Sequence, residues 1–147
     1  MVLSNSLVEV CDYQFDKMVE NKANLVLADV FYGDQNLIPV TPVVCIEPQI
    51  KTNTLDESAA ARKISIEFRL FFLVYFAFIQ SPQDNRRGAD ALAEAIESIV
   101  HTDRTLGGLV IHGYCTDVES GYTTKSNSLI RSNRITYVAK SQIILPS

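Results

Sequence analysis

"KISIEFRLFFLVYFAFI", Lys63 to Ile79, decides the fold. Ile64, Ile66, Phe68, Leu70, Phe72, Val74, Phe76 and Phe78 recur at every second position, with Ser65, Glu67 and Arg69 between the first of them. A period of two sends alternate side chains to opposite faces of an extended chain, so the stretch predicts one long strand. Its first half has one wet face. From Phe71 onward both faces are apolar, and the second half is expected to be covered on both sides by a helix, another sheet or another subunit. The apolar run "LFFLVYFAFI" is too short for a membrane helix, which needs roughly 20 residues, and its Phe, Val, Ile and Tyr suit a strand.

Downstream, "SPQDNRRGADALAEAIESIV" predicts a helix. Ser81 is read as its N-cap, with Pro82 at the first helical position and Asp84 in the first turn. Ala89, Leu92, Ala93, Ile96, Ile99 and Val100 form its apolar stripe. The glycines in "HTDRTLGGLVIHGYC" are expected to supply positive φ where the chain turns from this helix into a strand over 109–118. A polar stretch, 119–134, reads as a long loop or ragged hairpin, and "ITYVAKSQIIL", 135–145, as the last strand, ended by Pro146.

Upstream, a helix is expected to start at Ser4 to Ser6, with Leu7, Val8, Cys11, Phe15, Met18 and Val19 along one face. It ends by Asn21 to Asn24 unless Ala23 to Ala28 extends it. Gly33-Asp34 reads as a turn, and Val30 to Tyr32 as a short strand or a last helical turn. "VTPVVCIEP", 40–48, predicts a strand that begins or runs at a sheet edge, because proline cannot donate to a ladder. "QIKTNTLDESAAAR", 49–62, has no sustained period and reads as a long loop. The expected fold class is α+β: a mainly antiparallel sheet with two helices packed on one face, in the order α-β-β-α-β-β, as a single domain over 1–147.

Composition is that of an ordinary globular chain of 147 residues, 47% hydrophobic and 20% charged. A net charge of −4 and an isoelectric point near 5.1 speak against a nucleic-acid groove built on charge. Arg86-Arg87 is too short a basic run to change that. Three scattered cysteines, Cys11, Cys45 and Cys115, have no CxxC spacing and read as reduced thiols. "MVLSNSLVEV" has neither the basic start nor the apolar run of a signal peptide, so secretion is not indicated.

No constellation points to catalysis, a cofactor or a metal. Gly107-Gly108 follows a helix and precedes a strand, the reverse of a phosphate loop. His101, His112 and Cys115 match no zinc spacing, and an odd separation puts His112 and Cys115 on opposite faces of one strand. No serine sits in a GxSxG elbow. The acids Asp12, Asp16 and Glu20 are read as the solvated side of the first helix, and the chain is expected not to be an enzyme. Long polar stretches and an unusually apolar central strand suit a subunit that joins others.

The order of elements resembles the tail terminator and head–tail joining proteins of long-tailed phages. The resemblance runs through "PVTPVVCIEP", "ISIEFRLFFLVYFAF", "GADALAEAIESIV" leading into "DRTLGGLVIHG", and "RITYVAKSQIIL", with "TLGG" its most recognisable turn. It covers nearly the whole chain, through degenerate motifs. It implies a structural virion protein, assembled in the host cytoplasm, whose homohexameric ring caps the tail tube, stops its growth and meets head-connector or neck proteins. DNA passes through such a lumen without specific binding. Lys51, Asp56, Glu57 and Arg62 would then reach the lumen or a neighbour, and Tyr122, Lys125 and Arg131 the tube or connector. Two other readings stand beside it: another neck ring, a stopper or adaptor, and a small intracellular binding domain that dimerises through its apolar sheet.

Overall fold

A computed structural model describes residues 3–56, 62–76, 82–125 and 127–145. Two helices, α1 (Leu7–Glu20) and α2 (Pro82–His101), accompany five strands: β1 (Asp29–Tyr32), β2 (Val43–Asp56), β3 (Lys63–Phe76), β4 (His112–Lys125) and β5 (Ser128–Ile144). The fold is α+β, and the observed order is α-β-β-β-α-β-β. The additional strand is β1, four residues paired in parallel with Val43–Ile46. So short a strand carries too few residues to show a period. The sheet runs β1-β2-β3-β5-β4, with every other pair antiparallel.

The long strand is at the centre. Ile66, Phe68, Leu70, Phe72 and Val74 are buried in one cluster with Val44 and Ile46 of β2, Ile135, Tyr137 and Ala139 of β5, and residues of both helices. The expected alternation over Phe78 and Ile79 lies outside the described residues. The other face of the strand's second half is closed by the chain itself, where Ile38 packs with Val43, Cys45, Tyr75 and Ile130.

The stretch 49–62, expected as a loop, is strand over 49–56, and 119–134, expected as a long loop or ragged hairpin, is a hairpin in its described residues. Residues 50–56 continue β2 and pair with Lys63–Arg69. Both faces of this part of β2 are wet, so burial imposes no period on its sequence. In 119–134 the chain forms the β4–β5 hairpin, closed by the pair Lys125–Ser128 with Asn127 at φ 62. Asparagine tolerates that left-handed conformation. The strand expected over 109–118 begins only at His112, after a short 3-10 turn at Leu106–Gly108.

Ser6 caps α1, its hydroxyl accepting from the Glu9 N–H at 3.2 Å. The buried face of α1 is rotated from the expected stripe. Val10, Cys11, Gln14 and Met18 are buried, while Val8 and Val19 are 60% and 46% exposed. Helix α2 buries Ala89, Leu92, Ala93, Ile96 and Val100 as its stripe predicts. Its expected cap, Ser81, and the strand terminator Pro146 lie outside the described residues. Pro42 precedes β2, and Pro48 lies past Ile46, the last β2 residue paired with β1.

The "TLGG" joint is tied to both helices. Leu106, Gly107 and Gly108 have φ of 51, 65 and 97. Asp103 accepts the Gly107 N–H at 3.3 Å and the Tyr13 hydroxyl, and lies 3.4 Å from Lys17. Burial pushes the Asp103 carboxyl up, but these hydrogen bonds outweigh it and hold the group below its ordinary value.

Gly113 is required by packing. A Cβ there would lie 1.9 Å from the hydroxyl oxygen of Tyr137, which is fully buried. Gly113→Ala is therefore expected to lower stability by about 1–3 kcal/mol, the usual cost of overpacking, read as a fall in the urea midpoint. An unchanged midpoint would refute this packing.

Candidate assembly surfaces

The residues expected to make contacts fall at two ends of the sheet. Lys51 is exposed on β2 and its ammonium donates to the Asn5 carbonyl. Asp56 pairs in register with Lys63. Arg62 is exposed, and its carbonyl accepts the Leu145 N–H at 2.9 Å. Glu57 lies outside the described residues. Tyr122 and Arg131 are cross-strand partners, the guanidinium 4.8 Å from the ring centre. Tyr122 is exposed, whereas Arg131 is buried.

Lys125 is only 9% exposed. Its ammonium lies 3.0 Å from Asp34 and 5.0 Å from the centre of the Tyr75 ring, and Tyr75 donates to the same Asp34 oxygen at 2.6 Å. The Asp34 N–H in turn donates to Glu47 at 2.6 Å. These bonds strap the turn after β1 across the outer face of the sheet. Burial first, then Asp34, pushes the Tyr75 hydroxyl well above the usual tyrosine range. Gly33-Asp34 was legible as a turn, but not its partners, which lie 41 and 91 positions along the chain.

His112 and Cys115 pair with Lys140 and Tyr137 respectively, on opposite faces of the sheet. His101 instead reaches the break in the ladder after Cys115, where its Nε2 accepts the Cys115 N–H at 2.9 Å. Burial pushes the thiols of Cys11, Cys45 and Cys115 up to about 12. Thiols held that high carry little thiolate at neutral pH and are poor nucleophiles.

Two apolar features went unnoticed in the sequence. One is a groove at the end of the sheet where β3 finishes, lined by Leu25, Val26, Pro42, Phe76, Leu92 and Ala95. Gly88 forms its floor with Phe76, and a Cβ on Gly88 would lie 2.4 Å from that ring. The other is at the opposite end, where β2 and β3 outrun the helices. There Leu55, Ile64 and Ile143 are paired across three strands on the helix side of the sheet. Leu55 is half exposed. Neither feature has a sequence signature, because each is assembled from three or more segments.

No family model matches the sequence, and no curated protein matches it. Among solved structures, a chain in the virion of a native gene transfer agent particle superposes with a TM-score of 0.57 at 13% identity, over 95% of this chain and 100% of that one. The likeness shows a shared fold, and it takes in the full length of the other chain.

Two measurements test these surfaces. Lys125→Met leaves Asp34 and Tyr75 without their cation and is expected to cost about 1–2 kcal/mol, with Asp34 half in water at the lower end of that range. A value near zero would mean that the strap contributes nothing. The second is alkaline unfolding. A raised folded-state pKa stabilises the protonated folded chain, and the gain is whole below the unfolded values of about 8.5 for a thiol and 10 for a tyrosine. The Tyr13 hydroxyl, bonded to Asp103 and partly buried, is likewise pushed to about 12. The urea midpoint should therefore hold to about pH 8.5 and fall steadily toward pH 12. A flat profile would contradict these environments.

Proposed function

We propose that this chain is a structural subunit of a virion, a tail terminator whose ring caps the tail tube and joins it to the head connector. The observation that carries the reading is the fold likeness to a chain of a virion particle, which extends along almost the whole length of both chains. The order of elements in the sequence supports the same role. The shape of the subunit supports it too. Its sheet extends past its helices, and the exposed edges of β2 and β4 and the two apolar features offer contacts on opposite ends. The chain then works by contact and not by catalysis. The net charge of −4 suits a lumen that DNA traverses without being gripped, since phosphate binding rests on Lys and Arg. The ring is read as a homohexamer meeting tail-tube and neck proteins.

The test is co-expression with the tail-tube protein, followed by negative-stain imaging. Rings of six alone or seated on one end of each tube, with tubes that stop elongating, are the expected result. Monomers at micromolar concentration, with tubes of unlimited length and bare ends, would overturn the proposal.

A further inference from the structure

The strand register fixes which backbone groups face out of the two edges of the sheet. Lys125 and Ser128 flank a two-residue turn, so they exchange hydrogen bonds and Lys125 faces β5. The β4–β5 register is unbroken from Asp117 to Lys125. Alternation along the strand then turns the N–H and C=O groups of Val118, Ser120, Tyr122 and Thr124 away from β5. Carried through β5 and β3, the same alternation turns Lys51, Asn53 and Leu55 of β2 away from β3. Two bonds check its phase along β5. The Lys140 carbonyl faces the β4 side and accepts the Ile111 N–H at 2.7 Å, while the Leu145 N–H faces the β3 side and donates to the Arg62 carbonyl at 2.9 Å.

The chain closes part of each edge itself and leaves the rest bare. On β4 the Gly113 N–H donates to the Arg104 carbonyl at 2.7 Å, and the Cys115 N–H to His101 at 2.9 Å. On β2, the strand β1 covers Val43–Ile46. Among the described residues, no backbone bond reaches the outward groups of 51–55 or of 118–124. Neither stretch contains proline, and Leu55, Val118 and Tyr122 are exposed on them. Such an edge is a template for another strand. Two relations fit the stretches to each other. Each of β2, β3, β5 and β4 opposes its neighbour, so a second β2 set beyond β4 continues the antiparallel alternation. The outward residues of both edges also carry their side chains on the helix side, since Leu55 pairs with Ile64 and Val118 with Ile135, and both isoleucines pack in the cluster beneath the helices. Opposed residues of an antiparallel ladder share a face, so this pairing keeps the helices of both copies on one side.

We propose that 118–124 of β4 pairs antiparallel with 51–55 of β2 in a second copy of this chain, with Ser120 opposite Asn53, so that one sheet continues from subunit to subunit. This register sets Leu55 opposite Val118, two apolar side chains that the single subunit leaves partly in water. Joining β4 to β4, or β2 to β2, would leave the other edge of every subunit bare, whereas β4 on β2 uses both. The contact is head-to-tail, and contacts of this type close into rings when the rotation between copies permits. The inference rests on the assembly reading above only in that copies associate. It names the contact, and it stands or falls separately from tube capping.

Paired cysteines and an edge proline test it. Asn53→Cys and Ser120→Cys chains, mixed one to one and oxidised, should form a disulfide-linked heterodimer. Hydrogen-bonded antiparallel partners hold their Cα atoms about 5.5 Å apart, within the reach of a disulfide. Neither chain should cross-link alone, and a chain carrying both substitutions should give linked oligomers. Asn53→Pro removes a donor from the bare edge and none from the β2–β3 ladder. It should melt within a few degrees of the parent, while self-association read by sedimentation weakens about tenfold or more. Four results would each overturn the proposal: a parent chain monomeric at roughly 100 µM, where a micromolar contact is saturated, an Asn53→Pro chain that associates like the parent, a mixture that does not cross-link, or Asn53→Cys or Ser120→Cys chains that cross-link alone and so show like edges meeting. Rings that assemble in this way and yet ignore tail tubes would refute the proposed function and leave this contact standing.

Discussion

One face of β3 cannot be left in water. Ile66, Phe68, Leu70, Phe72 and Val74 are almost wholly buried, and each such side chain contributes roughly 1.5–3 kcal/mol by leaving solvent. The strand is flanked by β2 and β5, and its apolar face is closed by α1 and α2. Length then becomes decisive. A 14-residue strand spans about 46 Å at the usual rise, whereas the 20 residues of α2 span about 30 Å and the 14 of α1 about 21 Å. The helices cannot roof the whole sheet. The arm formed by the end of β2 and the start of β3 is the part they leave least covered: Leu55 is half exposed there, while Ile64 and Ile143 of β5 still pack on the core.

The opposite face of the sheet is handled differently along its length. Near the end of β3 it is closed by a segment of chain, fastened through Asp34 to Tyr75 and Lys125. Nearer the arm it is wet, with Thr52, Glu67, Lys140 and His112 aligned in one row across four strands. One strand thus runs from a two-layer interior into an exposed hairpin. A subunit built in this way presents different surfaces at its two ends, which is the shape that head-to-tail association requires.

How much was legible follows from how burial writes a pattern. β3 and α2 could be read because each has one face deep in the core. α1 was read as a helix with its face turned, because Val8 and Val19 are exposed while Gln14 is buried; hydrophobicity alone ranks those residues the other way. The strand over 50–56 reads as a loop in the sequence, and 119–134 as a long loop or a ragged hairpin, of which the hairpin forms. Residues 50–56 and 119–125 lie at sheet edges with wet faces, so hydrogen bonding holds them extended without any demand on side-chain polarity. Of the contact residues, Lys51 and Tyr122 were placed at the surface by their sequence surroundings, and that is where they are. Lys125 is buried because a distant partner, Asp34, comes to meet it, and Arg131 lies against the ring of its cross-strand neighbour Tyr122.

By itself, the sequence determined the class of the fold, the long central strand, the two helices and the glycine reversal at Gly107-Gly108. These depend on period, capping and positive φ, which are local properties of the chain. Only the tertiary structure decided that β1 joins the sheet, that 50–56 is a paired strand, and that Val26, at φ 54, stands at the rim of a groove. Those outcomes depend on pairing between segments, β1 with β2 14 positions on and 50–56 with 63–69, and not on the composition of either segment alone. Hydrogen bonds between strands and contacts across layers form without leaving a mark on any single segment.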